Sequence, residues 1–111
     1  QSRLAANERG DEYVVHPAVR VHPETGRKSI YVNPIHTLAL EGMPEDESNA
    51  LIDEIGIWYD NCSDIQARHK WRLGDTVIWD NRCALHAATG DNPLRQPREF
   101  FRTTVRGTPT H

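Results

Sequence analysis

Helical periodicity is confined to one stretch of this chain. Proline and glycine break everything else into runs too short for a helix. Over residues 44–61, Leu51, Ile52, Ile55, Trp58 and Tyr59 recur at the spacing of one apolar face. Pro44 suits the first turn, where a missing N–H costs nothing, and Glu45, Asp46 and Glu47 stand where the positive end of a helix dipole favours acids. Gly56 weakens such a helix by about 1 kcal/mol relative to alanine. The runs on either side are of β type. Tyr13 to His22 gathers Tyr13, Val14, Val15, Val19 and Val21 around His16-Pro17, and a residue without an N–H places that run at a sheet edge. Pro23-Glu24-Thr25-Gly26 is a turn, proline presetting φ and glycine supplying the positive φ that ends it. Lys28 to Asn33 then reads as a strand closed by Pro34. Further runs follow at Trp71-Arg72-Leu73, Thr76 to Trp79, Leu85-His86-Ala87 and Phe100 to Arg106, the last stopped by Gly107 and Pro109. Short strands at regular spacing with one surface helix at about 44–61 predict a mainly β fold, a sandwich or jelly roll.

At 111 residues the chain has room for one small domain. Its hydrophobic content of 37% and mean hydropathy of −0.70 are lean for a chain that must close a core alone. The expectation is a part of a larger domain, with residues 1–12 a loop or the remnant of another element. The net charge of −3 is spread along the chain with no basic stripe, so no nucleic-acid partner is expected. No apolar run approaches the roughly 18 residues of a membrane span, and the polar start QSRLAANERGDE lacks the apolar core of a signal peptide. Cys62 and Cys83, the two cysteines, are too few for a structural zinc site of their own and point to reduced thiols in a cytoplasmic protein.

Two groups could carry chemistry. In Trp79-Asp80-Asn81-Arg82-Cys83-Ala84-Leu85-His86 a strand ends in a polar turn and a histidine enters the next strand. On a barrel-like scaffold that places an imidazole at the mouth, where a metal would lie; from spacing alone, a histidine satisfied by hydrogen bonds near a turn is the commoner reading. In the last run, alternation puts Phe100, Arg102 and Thr104 on one face, and Arg98 joins them if the strand starts two residues earlier. Two guanidiniums facing a cavity would bind carboxylates or sulfonates bidentately, although strand arginines more often face solvent. His22-Pro23-Glu24 has the H-x-[DE] form of a metal-ligand pair, but it lies in a proline turn and reads as a decoy. Histidines 16, 22, 36, 69 and 111 form no ligand pattern with one another, and no G-x-S-x-G, P-loop or G-x-G-x-x-G occurs.

Taken in order, HPAVRVHPETGRKSIYVNP, EGMPEDESNALIDEI, HKWRLGDTVIWDNRCALH and REFFRTTVRGTP resemble the TauD/TfdA family, the taurine and chlorophenoxyacetate dioxygenases, from about Val14 to Pro109. The resemblance implies a double-stranded β-helix (jelly roll), here its C-terminal portion. It also implies Fe(II) held by two histidines and a carboxylate, with 2-oxoglutarate and O2 as co-substrates. The family's distal histidine follows the WDNR segment and falls on His86. The arginine that grips the far carboxylate of 2-oxoglutarate falls on Arg98, chosen over Arg95 by the R-x-x-x-R-x-T pattern. Arg102 falls where the acidic group of the substrate is met. Trp79 would lie beside the metal pocket, with Asn81 and Arg82 shaping the turn that presents His86. The family's first ligand pair, H-x-D, and a threonine that helps hold the oxoacid have no counterpart in these residues, so the resemblance supplies one iron ligand of three.

The implied activity is hydroxylation of a small acidic organic substrate, such as a sulfonate, sulfate ester or aryloxyacetate, with release of succinate and CO2. The chain would need the missing N-terminal half for a complete site. Two other readings stand beside this one: an inactive jelly-roll fragment or interaction module without the first ligand pair, and a cupin-like binding protein using the arginines without redox chemistry. Unpaired strand edges should also make the isolated chain associate, as a homo-oligomer or an aggregate.

Overall fold

A computed structural model describes residues 13–90 and 93–108. The expectation for residues 1–12 and the stop at Pro109 lie outside them. Strand β1 (Val19–Val21) pairs antiparallel with β2 (Lys28–Ile30), with Arg20 opposite Ser29 at the centre of the register. Proline at 17 and the Pro23 turn keep this hairpin short, although Tyr31 N–H still donates to the Ala18 carbonyl at 2.7 Å. The turn forms where its residues predict it. Gly26 takes φ +69°, a conformation that side chains disfavour, and its N–H donates to the His22 carbonyl at 2.9 Å.

Helix α1 (Glu45–Asn61) begins directly after Pro44, which stands at the cap with an extended backbone. Its first turn is acidic as expected, while its last turn carries no basic residue. Instead the Gln66 side chain returns from the following single turn of 3-10 helix (Ser63–Ile65). It donates to the carbonyls of Tyr59 at 2.6 Å and Asp60 at 3.3 Å, satisfying helix-end acceptors that would otherwise need water. The covered stripe of α1 runs through Ser48, Ile52, Ile55, Gly56 and Tyr59. Leu51 and Trp58, expected on that face, are exposed instead.

The stripe packs on the segment that follows β2. Val32 and Ile52 are the buried hydrophobic residues among those described. Tyr59 donates its hydroxyl to the Val32 carbonyl at 3.2 Å, and burial raises its phenol pKa. Ser48, itself buried, accepts from the Leu40 N–H at 2.8 Å. Buried Arg20 lies over the ring of Tyr31, 5.1 Å from its centroid.

The second half differs from expectation. Trp71–Leu73, Thr76–Trp79, Leu85–Ala87 and Phe100–Arg106 form no strand, and β1 and β2 make up the sheet among the described residues. The physical reason is ladder pairing. A β-forming run becomes a strand only when a neighbour takes up its N–H and C=O groups, and among the described residues no such neighbour lies beside these four runs. What the sequence does fix there are turns: Gly74 at φ +88° with Asp75 N–H on the Arg72 carbonyl, and Cys83 and Ala84 N–H both on the Asp80 carbonyl. No helix among the described residues is long and apolar enough to cross a membrane.

Candidate functional site

The polar turn after Trp79 is built on Asp80. One carboxylate oxygen, Oδ1, accepts the Arg82 backbone N–H and the Arg82 Nε, each at 2.9 Å. The other, Oδ2, accepts Arg82 Nη2 at 2.8 Å and His22 Nε2 at 3.1 Å. The Arg82 hydrogen bonds first, and the His22 bond second, hold the Asp80 carboxyl well below the usual carboxylate range; Asp80 in turn raises Arg82. Arg82 Nη1 also reaches Glu24 Oε1 at 3.4 Å, a long and exposed contact.

His22 joins this turn from the hairpin, 58 residues earlier. Its Nδ1 accepts the backbone N–H groups of Glu24 and Thr25, both at 3.2 Å. Two donors on Nδ1 place the ring proton on Nε2, which therefore donates to Asp80. Both nitrogens are occupied, and Glu24 is exposed. The His22-Pro23-Glu24 pair is thus a structural element of the turn, as its proline setting suggests.

His86 presents the opposite case. It is exposed, and its ring lies against Trp79 with centroids 4.7 Å apart and planes at 46°. Trp79 is oriented in turn by its indole N–H, which donates to Asn81 Oδ1 at 2.8 Å. Among the described residues, no hydrogen bond engages either ring nitrogen of His86. Trp79, Asn81, Arg82 and His86 therefore do gather around one turn.

Arg98 and Arg102 do not join that group. The Arg98 guanidinium lies over Phe100, 4.7 Å from the ring centroid, as same-side neighbours two apart on an extended chain would. Phe100 packs edge-on to Trp71 at 4.8 Å, and Trp71 edge-on to His69 at the same distance. His69 is hydrogen-bonded to Asp75 at 3.1 Å. Arg98 is thus part of an aromatic row with the 69–75 turn. Arg102 is exposed.

An iron centre of the two-histidine, one-carboxylate type needs three donors on one face. The described groups of mutually close donors come down to His22, Asp80 and Cys83, whose ligand atoms lie within 4.8 Å of one another. His22 has no free lone pair, Asp80 is taken up by Arg82, and the guanidinium opposes a cation. That cluster does not fit a metal, and His86 by itself supplies one open donor. Among the described residues no set composes an iron site alone.

Sequence reasoning missed Asp80 as the centre of the turn and His22 as its partner. The residues stand in plain view in WDNR and HPETG, but a contact across 58 positions has no local signal.

Comparison with known proteins follows the same ordered segments. Residues 2–104 match the family model described as taurine catabolism dioxygenase TauD, TfdA family. A putative alpha-ketoglutarate-dependent sulfonate dioxygenase of Schizosaccharomyces pombe is 39% identical over 92 residues, 83% of this chain and 23% of that protein. The (S)-phenoxypropionate/alpha-ketoglutarate-dioxygenase of Delftia acidovorans is 38% identical over 93 residues, 84% of this chain and 31% of that protein. The alpha-ketoglutarate-dependent sulfonate dioxygenase of Saccharomyces cerevisiae is 36% identical over 90 residues, 81% of this chain and 22% of that protein. The chain thus spans between a fifth and a third of the length of these relatives. No solved structure matches it significantly.

Proposed function

Because this chain belongs to the TauD, TfdA family, we propose that it is the C-terminal part of a single jelly-roll domain in an Fe(II)- and 2-oxoglutarate-dependent dioxygenase. The observation that carries the reading is the pairing of an open imidazole, His86, with Trp79 at the end of the Asp80–Arg82 turn, inside the stretch that matches the family. His86 is one metal ligand; the two others come from residues outside these 111. Arg98 clamps the distal carboxylate of 2-oxoglutarate, and its stack on Phe100 leaves guanidinium donors available for a bidentate contact. Arg102 binds the acidic group of the substrate. The relatives are named for sulfonates and for (S)-phenoxypropionate, and small organic acids of that kind are the substrate class proposed here. Bound iron would supply O2 activation, and the part of these side chains is to hold and orient what reacts. The exposed apolar side chains of the second half would pack against the rest of the domain, in a cytoplasmic protein with free Cys62 and Cys83.

The test is an anaerobic titration of the full-length protein with Fe(II) and 2-oxoglutarate, followed by the visible absorption of the chelate, then oxygen-dependent succinate release. We expect His86→Ala to remove metal binding and Arg98→Ala to weaken 2-oxoglutarate with iron binding retained. A full-length protein that binds neither ligand fits the inactive-module reading instead, and one that binds without forming succinate fits the cupin-like reading.

A further inference from the structure

Two segments far apart in sequence meet at Asp80, and His86 lies just beyond the turn that their meeting fixes. The hairpin contributes His22, which is 7% exposed and whose Nδ1 is committed to the backbone of Glu24 and Thr25. A ring tied down at one nitrogen can deliver the other in one direction only, and that direction is Asp80 Oδ2 at 3.1 Å. Asp80 orders the turn through Arg82, whose backbone and side chain both donate to it. Trp79 on the near side of that turn and Asn81 within it are joined at 2.8 Å, and the Trp79 indole is the surface against which His86 rests.

We propose that His22 is a positioning residue for His86: it anchors the Asp80–Arg82 turn to the hairpin and thereby sets where the Trp79–His86 pair stands. The effect on metal binding rests on the dioxygenase reading; the effect on His86 geometry does not. Glu24 is a minor contributor, since its contact with Arg82 is long and exposed. Partners that orient a metal-binding histidine from outside the ligand set are commonly worth about 10–100-fold in metal affinity.

His22→Asn is the diagnostic substitution. Its side-chain oxygen can still accept the N–H groups two and three residues on, as in an Asx turn, but its amide is too short to reach Asp80. The hairpin turn is kept and the anchor is lost. His22→Gln is the rescue, because its terminal amide reaches where Nε2 stands. In the metal-free full-length protein, the His86 ring resonances carry a ring-current shift from Trp79 and report the pair directly. We expect H22N and D80N each to move those resonances, the double variant to move them no further than D80N alone, and H22Q to restore them towards wild type. With Fe(II) added, H22N should weaken binding about 10–100-fold.

Unmoved His86 resonances in both single variants overturn the proposal, as do additive effects in the double variant. Should H22N fail to fold, D80N against H22Q decides the matter on the same readout. Moved resonances with unchanged Fe(II) affinity overturn the functional half. A wild-type protein that binds no Fe(II) overturns the dioxygenase reading, and the metal-free resonances then still distinguish that failure from failure of the anchor.

Discussion

Residues 13–65 and the described residues of 66–108 both contain apolar β-forming runs and end in different conditions. The first stretch closes a hairpin, a helix and a small core around Val32 and Ile52. The second forms turns, and Leu73, Ile78, Leu94, Phe101 and Val105 stand almost fully exposed. The second stretch is the more basic and the leaner in apolar residues, but both carry apolar β-forming runs, and those runs alone do not separate them. The first stretch carries its own partners: β2 follows β1 through a turn, and α1 lies close enough in sequence to return on the segment after β2. The β runs of the second stretch have no ladder neighbour among the described residues, and an apolar side chain left in water forgoes about 1.5–3 kcal/mol of burial. Local structure is therefore complete where contacts are local and incomplete where they must come from far away.

The sharpest way to break that contrast is to truncate one side chain in each stretch at two chain lengths. Ile52 is 0% exposed, and Ile52→Ala should cost about 2–5 kcal/mol in the 111-residue chain and in the full-length protein alike. Phe101 is 97% exposed; Phe101→Ala should change stability by less than about 0.5 kcal/mol in the short chain. In the full-length protein the same substitution should cost about 3–5 kcal/mol, because the proposed remainder of the domain covers it. Urea unfolding followed by circular dichroism measures all four values. Equal, negligible costs for Phe101→Ala at both lengths would mean that the second stretch is open by nature and that the jelly-roll reading of it is mistaken.

The helix shows how far the first stretch was legible. Its limits, its acidic first turn and the hairpin turn at Gly26 follow from cap chemistry, dipole and φ, which are local properties. Which face it buries was less legible, because Leu51 and Trp58 match the spacing as well as Ile52 does, and the choice belongs to the segment packed against it. Gly56 makes the point at one atom. From sequence it is a weak spot worth about 1 kcal/mol. In the fold, a Cβ there would stand 2.9 Å from Pro34 Cγ, a ring atom held close to its own backbone and slow to give way. Overpacking of that kind costs about 1–3 kcal/mol, so the clash wins over the gain in propensity. Gly56→Ala should destabilise the chain by about 1 kcal/mol, the middle of that difference. In a Pro34→Ala background the sign should reverse, and the same substitution should stabilise. Stabilisation with Pro34 intact would show that helix propensity rules and that the packing is looser than the distances state. The candidate site divides along the same line. That His86, Trp79, Asn81 and Arg82 group around one turn was readable because one short motif holds them; Asp80 as hub and His22 as its partner were not, because their contact depends on how two distant turns meet.

That contact also joins the two stretches across 58 residues, and acid should loosen it. Asp80 has a folded pKa below its unfolded value of about 3.9. On lowering the pH, the unfolded chain therefore takes up the proton first. The contribution of Asp80 to stability is complete above about pH 5, falls as the pH passes the unfolded value of about 3.9, and is gone below the folded value. The effect should be the smallest of those argued here, since Asp80 and Arg82 are partly exposed and salt screens them. Other carboxylates titrate in the same range, so the measurement is a difference: the urea midpoint of wild type against Asp80→Asn from pH 6 to pH 3. The two curves should be separated by a constant amount above about pH 5 and converge as the pH falls, with 0.5 M salt narrowing the gap. Curves that stay parallel down to pH 3 would mean that Asp80 holds the turn by shape rather than by charge, and that its bond to His22 needs no ionised carboxylate.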